Sequence, residues 1–183
     1  MIRALVEIGS DYEKLEEKCR LTLGVPCKPM LAKPTRGIAD ILTRFEGKRL
    51  TCEYKYDGLR GQVHYFNKSI KIFSRNLEDI TEAYSDLVEN IKANMAGKEN
   101  ELSSFIVDCE IVAVNKASRQ LLPFQVLATR SRKVSRGNDI EVYVNMFAFD
   151  ILYFNGNITQ LPLIERRLFL AKLQPILSSD ILR

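Results

Sequence analysis

Lys55 stands in a setting suited to nucleophilic chemistry. Tyr54 and Tyr56 flank it, Glu53 precedes it by two residues, Asp57-Gly58 follows, and Arg60 comes two residues later. A primary amine attacks an electrophilic phosphorus or carbonyl centre once it has lost its proton, and desolvation or neighbouring cationic charge favours that loss. The isolated tetrapeptide Lys-x-Asp-Gly also fits a plain strand end with a surface ion pair. The sequence has neither a Walker-type loop nor a Gly-x-Gly-x-x-Gly fingerprint, so a nucleotide would have to be held by side chains.

Around this centre the hydrophobic pattern predicts the elements that carry it. Leu50, Cys52, Tyr54 and Tyr56 alternate with Thr51, Glu53, Lys55 and Asp57, which predicts a strand over Leu50–Asp57 with Glu53 and Lys55 on one face. Further strands are expected at Arg60–Phe66, Ser69–Ser74, Phe105–Val114 and Glu141–Phe154, the last turning at Asn155-Gly156. Helical spacing joins Ile38, Ile41, Leu42 and Phe45, with Gly47 as the stop, and joins Ile80, Tyr84, Leu87, Val88, Ile91 and Met95. A further helix is expected from Leu163 to Leu173, between Pro162 and Pro175. Ser10 and Glu13 form a capping box for a lead-in helix through Cys19. This order predicts an α+β fold with largely antiparallel sheets and flanking helices.

The chain of 183 residues is long enough for one domain, and 46% hydrophobic content supplies a core. Residues 1–25 form a lead-in segment and 26–183 the main domain. No apolar run is long enough to span a bilayer, so no membrane partner is expected. The four cysteines are dispersed without a Cys-x-x-Cys pair, which points to neither zinc nor a disulfide framework. A net charge of +4 does not announce nucleic acid, although Arg130, Arg132 and Lys133 cluster in a loop that could meet DNA phosphates. His64, the single histidine, reads as structural.

The longer stretch Cys52-Glu53-Tyr54-Lys55-Tyr56-Asp57-Gly58-Leu59-Arg60-Gly61-Gln62-Val63-His64 closely resembles the active-site segment of eukaryotic replicative ATP-dependent DNA ligases, within the covalent nucleotidyltransferase superfamily. Ile72-Phe73-Ser74-Arg75-Asn76, Phe105-Ile106-Val107-Asp108-Cys109-Glu110 and Phe147-Ala148-Phe149-Asp150 resemble the motifs that follow, in the same order. Cys27–Gly37 and Pro123–Leu127 also resemble ligase segments. The resemblance implies an ATP-grasp-like nucleotidyltransferase core in which Lys55 attacks the α-phosphate of ATP and carries AMP. It further implies that Glu53 recognises the adenine amino group, Phe149 stacks on the base, Arg60 and Arg75 contact ribose or phosphate, and Glu110 contacts ribose or a magnesium ion (Mg2+).

The implied parent seals nicked duplex DNA in replication, repair and recombination. It would be nuclear if eukaryotic and otherwise cytoplasmic, with a replication-clamp partner bound through other parts of the parent. No later glutamate motif or Lys-x-Lys motif precedes Arg183, so the resemblance implies a truncated adenylation domain with weak self-adenylylation and no nick sealing alone. It implies that the lead-in segment is the end of a preceding DNA-binding domain. The alternatives are an mRNA-capping guanylyltransferase or RNA ligase, and a non-catalytic DNA-binding module of the same fold.

Overall fold

The computed structural model describes residues 20–98, 100–130 and 142–177. The expected helix ending at Cys19 and the basic residues Arg132 and Lys133 lie outside these described residues. Strands β1 (Leu59–Phe66), β2 (Ser69–Ser74), β3 (Phe105–Val114) and β4 (Tyr143–Phe154) form one sheet in the order β2-β1-β3-β4. Every pairing is antiparallel, as the pattern predicts. β1 and β2 join through Asn67-Lys68, both at positive φ, a two-residue hairpin loop whose twist matches that of the strands. At the end of β4, Asn155 takes φ 53° and its carboxamide oxygen accepts the Ser103 and Ser104 N–H groups, so the expected turn also holds the loop before β3.

Alternation gives the sheet two different faces. On one, Val63, Tyr65, Phe105, Val107, Cys109, Ile111 and Ala113 are buried in the main apolar cluster. Helix α2 (Ser85–Met95), preceded by a 3-10 turn at Glu82–Tyr84, adds Leu87, Val88, Ile91 and Met95 to that cluster. Helix α4 (Leu163–Leu177) adds Leu173, Ile176 and Leu177. The other face carries Arg60, Gln62 and His64 beside their cross-strand partners Glu110, Asp108 and Ile106. The polar chemistry of β1 and β3 therefore lies on the face turned away from the helical core.

Two expectations need correction. Leu50–Asp57 does not form a strand: residues 51–56 have no regular secondary structure, and the first strand begins at Leu59. The segment pairs with none of the four strands, and the supposed apolar face is not covered, since Leu50 is 42% and Tyr54 88% exposed. The final helix does not stop before Pro175 but continues to Leu177. Pro175 faces solvent, while the burial of Ile176 and Leu177 holds the last turn in place. The Asn94 side-chain amide also donates to the Ile176 carbonyl at 3.0 Å. Helix α1 (Ile38–Arg44) forms where expected and has no buried residue. Helix α3 (Phe124–Ala128) occupies the ligase-like Pro123–Leu127 stretch.

Candidate active site

The chain enters the site through residues 51–57, which cross the end of the sheet before β1. Tyr56 fixes this crossing by stacking on Phe147 of β4, with ring centroids 3.9 Å apart and planes inclined by 19°. The Asp57 carboxylate accepts the Phe124 N–H at the start of α3, at 3.2 Å. Asp57 is thus occupied in holding the turn. Gly58 passes so close to β3 that a Cβ there would lie 2.3 Å from the Ile111 carbonyl oxygen. Together these contacts set the backbone on both sides of Lys55, whose side chain is exposed.

An open cleft of about 1350 Å³ lies at this end of the sheet. Glu53, Lys55, Arg60, Arg75, Glu110 and Phe149 all line it, so four separate segments of the chain converge on one space. Arg60, Glu110 and Phe147 form a row across β1, β3 and β4 by direct cross-strand pairing. Arg60 is held by a two-bond fork to Asp108, Nε to Oδ1 at 2.9 Å and Nη2 to Oδ2 at 2.6 Å, and its Nη1 donates to the Met30 carbonyl at 2.9 Å. Its guanidinium carbon lies 5.3 Å from the centroid of the Phe149 ring. The Asp108 fork raises the Arg60 pKa further, so its charge is permanent.

Glu110 is half-buried, and burial pushes its carboxyl above the ordinary glutamate range; Lys55, Arg60 and the Gly58 N–H act in the opposite direction. Arg75 follows β2 directly and is exposed at the cleft. His64 is structural, as expected: burial lowers its pKa to about 4, its Nδ1 accepts the Gly24 N–H at 3.1 Å, and its Nε2 faces Gln62 Oε1 at 2.9 Å. Cys27, Cys52 and Cys109 are free thiols.

Arg130 does not stand among the cleft residues, and its side chain is only 9% exposed. Its guanidinium pairs with Asp86, donates to the carbonyls of Ala83 at 2.9 Å and Val142 at 2.7 Å, and lies over the Tyr84 ring. The expectation of an exposed phosphate contact is therefore corrected for Arg130, because burial beside Asp86 gives the cation a partner within the fold.

Three contributors were not singled out from the sequence. Arg166 forks onto Asp150, with Nε to Oδ1 at 2.9 Å and Nη2 to Oδ2 at 2.8 Å, and so seats α4 on β4. Arg167 lines the cleft, pairs with Glu53, and donates to the Phe149 carbonyl at 3.2 Å. Phe147 supplies the stacking surface for Tyr56. Adjacent arginines opening a helix were the available signal, but their partners lie in segments distant along the chain.

An antiparallel sheet with flanking helices and a lysine-lined cleft at one end is the nucleotidyltransferase core expected from the motifs. A family model described as the ATP dependent DNA ligase domain matches residues 29–179, and the chain belongs to that family. It is 48% identical over 143 residues to DNA ligase 1 of Arabidopsis thaliana, covering 78% of this chain and 18% of that protein. It is 44% identical over 168 residues to DNA ligase 1 of Saccharomyces cerevisiae, covering 91% of this chain and 22% of that protein. The chain thus spans about a fifth of the length of these curated relatives. Among solved structures, the ligase domain of M. tuberculosis LigD superposes with a TM-score of 0.50 at 26% identity, covering 66% of this chain and 36% of that one.

Proposed function

We propose that this chain is a catalytic-domain segment of an ATP-dependent DNA ligase whose Lys55 becomes adenylylated. The observation that carries this reading is the convergence of Glu53, Lys55, Arg60, Arg75, Glu110 and Phe149 on one cleft. The Lys55 amine, having lost a proton, attacks the α-phosphorus of ATP. A nitrogen–phosphorus bond forms, the bond to the bridging oxygen breaks, and pyrophosphate leaves. AMP is then passed to a 5′-phosphate of nicked DNA, and a 3′-hydroxyl displaces it to close the strand. Glu53 accepts from the adenine amino group, Phe149 offers a face to the base, and Arg60 and Arg75 meet ribose or phosphate.

The half-buried Glu110 carboxylate is a hard oxygen donor, and Mg2+ is commonly held by one or two carboxylates together with substrate phosphates. Glu110 fits that demand, although no cluster of three or more potential metal ligands occurs among the described residues. When bound, the ion would neutralise phosphate charge. The parent would act in replication, repair and recombination, in the nucleus if its source is eukaryotic. No described helix is long and apolar enough to cross a membrane.

Incubating the chain with α-labelled ATP or GTP and magnesium, followed by mass spectrometry, tests this reading. An AMP adduct on Lys55, absent from Lys55→Ala and favoured over GMP, is the expected result. An adduct that survives Lys55→Ala removes the nucleophile assignment. A greater yield with GTP supports the capping-enzyme alternative, because a carboxylate at Glu53 opposes the carbonyl of guanine.

A further inference from the structure

We propose that Arg167 is a positioning residue for nucleotide choice: it holds one oxygen of the Glu53 carboxylate and leaves the other to read the base. The assignment rests on the nucleotide reading of the cleft and extends it to a residue of α4. Glu53 belongs to a stretch without regular secondary structure, its side chain is 43% exposed, and its carboxylate pairs with Arg167 through Oε1. A glutamate so placed has several rotamers open to it, and a freely turning carboxylate discriminates poorly between an amino group and a carbonyl.

Arg167 is suited to remove that freedom. The nitrogen that meets Glu53, Nη2, also donates to the Phe149 carbonyl at 3.2 Å, which ties the guanidinium to β4. The preceding residue forks onto Asp150 and donates to the Leu161 carbonyl at 2.6 Å, so the start of α4 is anchored on the same strand. One cation thus links the carboxylate to the backbone that carries Phe149, the aromatic face of the cleft. The Arg167 Nε–H is buried without an acceptor among the described residues.

The test is the ratio of ATP to GTP dissociation constants, measured by calorimetry on the whole chain. Wild type, Arg167→Gln, Arg167→Lys, Glu53→Gln and the Arg167→Gln/Glu53→Gln double variant are compared. Arg167→Gln is expected to reduce the preference for ATP by about tenfold, Arg167→Lys to retain part of it, and Arg167→Gln to add nothing once Glu53→Gln is present. If Arg167→Gln melts below the assay temperature, Arg167→Lys decides, an intermediate ratio supporting the assignment and an unchanged one overturning it. An unchanged ratio in folded Arg167→Gln, equal weakening of both nucleotides, or an undiminished effect in the Glu53→Gln background overturns the assignment alone. A wild-type chain that binds neither nucleotide, or binds both equally, overturns the nucleotide reading and this assignment together.

Discussion

At the scale of single residues, the cleft sets charge against burial. Glu110 lies in a half-buried row between Arg60 and Phe147, where burial raises its pKa while Lys55, Arg60 and the Gly58 N–H partly offset the cost of its charge. A carboxylate with a raised folded-state pKa opposes folding once the pH is above that value, and the penalty disappears as the pH falls toward the unfolded value. Glu110→Gln should therefore raise the melting temperature at neutral pH while weakening magnesium-dependent ATP binding. Differential scanning calorimetry and calorimetric titration on the same variant check both halves; a lower melting temperature would count against a desolvated carboxylate. On the proposed reading, the place of this carboxylate in the cleft costs stability, a common condition of active sites.

At the scale of elements, the site depends on how β1 begins. Gly58 is required by proximity, since an added Cβ would meet the Ile111 carbonyl oxygen at 2.3 Å, and Ile111 is held in β3 between β1 and β4. Gly58→Ala should cost about 1–3 kcal/mol of stability and suppress the Lys55 adduct, measured by denaturant melts and mass spectrometry. An adduct yield equal to wild type would show that the register before β1 does not matter.

His64 ties the segment around Gly24 to the same strand through a neutral ring. With its folded pKa lowered to about 4, the unfolded chain takes up the proton first. This histidine costs nothing above the unfolded value, near 6.5, and costs progressively more as the pH falls toward 4, reaching on the order of 3 kcal/mol. Comparing urea melts of wild type and His64→Gln across that window should show the steeper loss in wild type; parallel curves would contradict it.

At the scale of the whole molecule, ion pairs join elements that the chain order separates. Arg130 connects the 3-10 turn and α2 with the chain entering β4 through Asp86, Ala83 and Val142. Arg130→Ala should destabilise the fold by about 2 kcal/mol, the order expected for losing hydrogen bonds that involve a charge. It should leave the slope of DNA affinity against salt unaltered. Loss of a true phosphate contact would reduce that slope by about one, so fluorescence anisotropy titrations at several salt concentrations separate the two roles. A shallower slope with unchanged stability would return Arg130 to the DNA surface.

Much of the fold was legible because burial imposes a period on sequence. β2 and β3 match their expected bounds and β1 begins one residue early, but only β1 and β2 are joined by a short turn; the long connections 75–104 and 115–142 left the pairing of β3 with β1 and β4 to the tertiary structure. The cleft residues were legible because the nucleotidyltransferase motifs are local strings in a set order, and their convergence required only that the strands pair. The segment 50–57 misled because alternation is necessary for a half-buried strand but not sufficient: its supposed apolar face is left exposed and the segment joins none of the four strands. Pro175 misled because a proline at an exposed position in the last turns is tolerated when the residues after it are buried. Only the tertiary structure decided which arginine meets which carboxylate. Arg60 with Asp108 pairs across the sheet, Arg166 with Asp150 joins helix to strand, Arg167 with Glu53 joins helix to the irregular segment before β1, and Arg130 with Asp86 joins the chain after α3 to α2. A charged side chain carries no periodic signal for its partner; the choice is made by distance and desolvation once the backbone has closed.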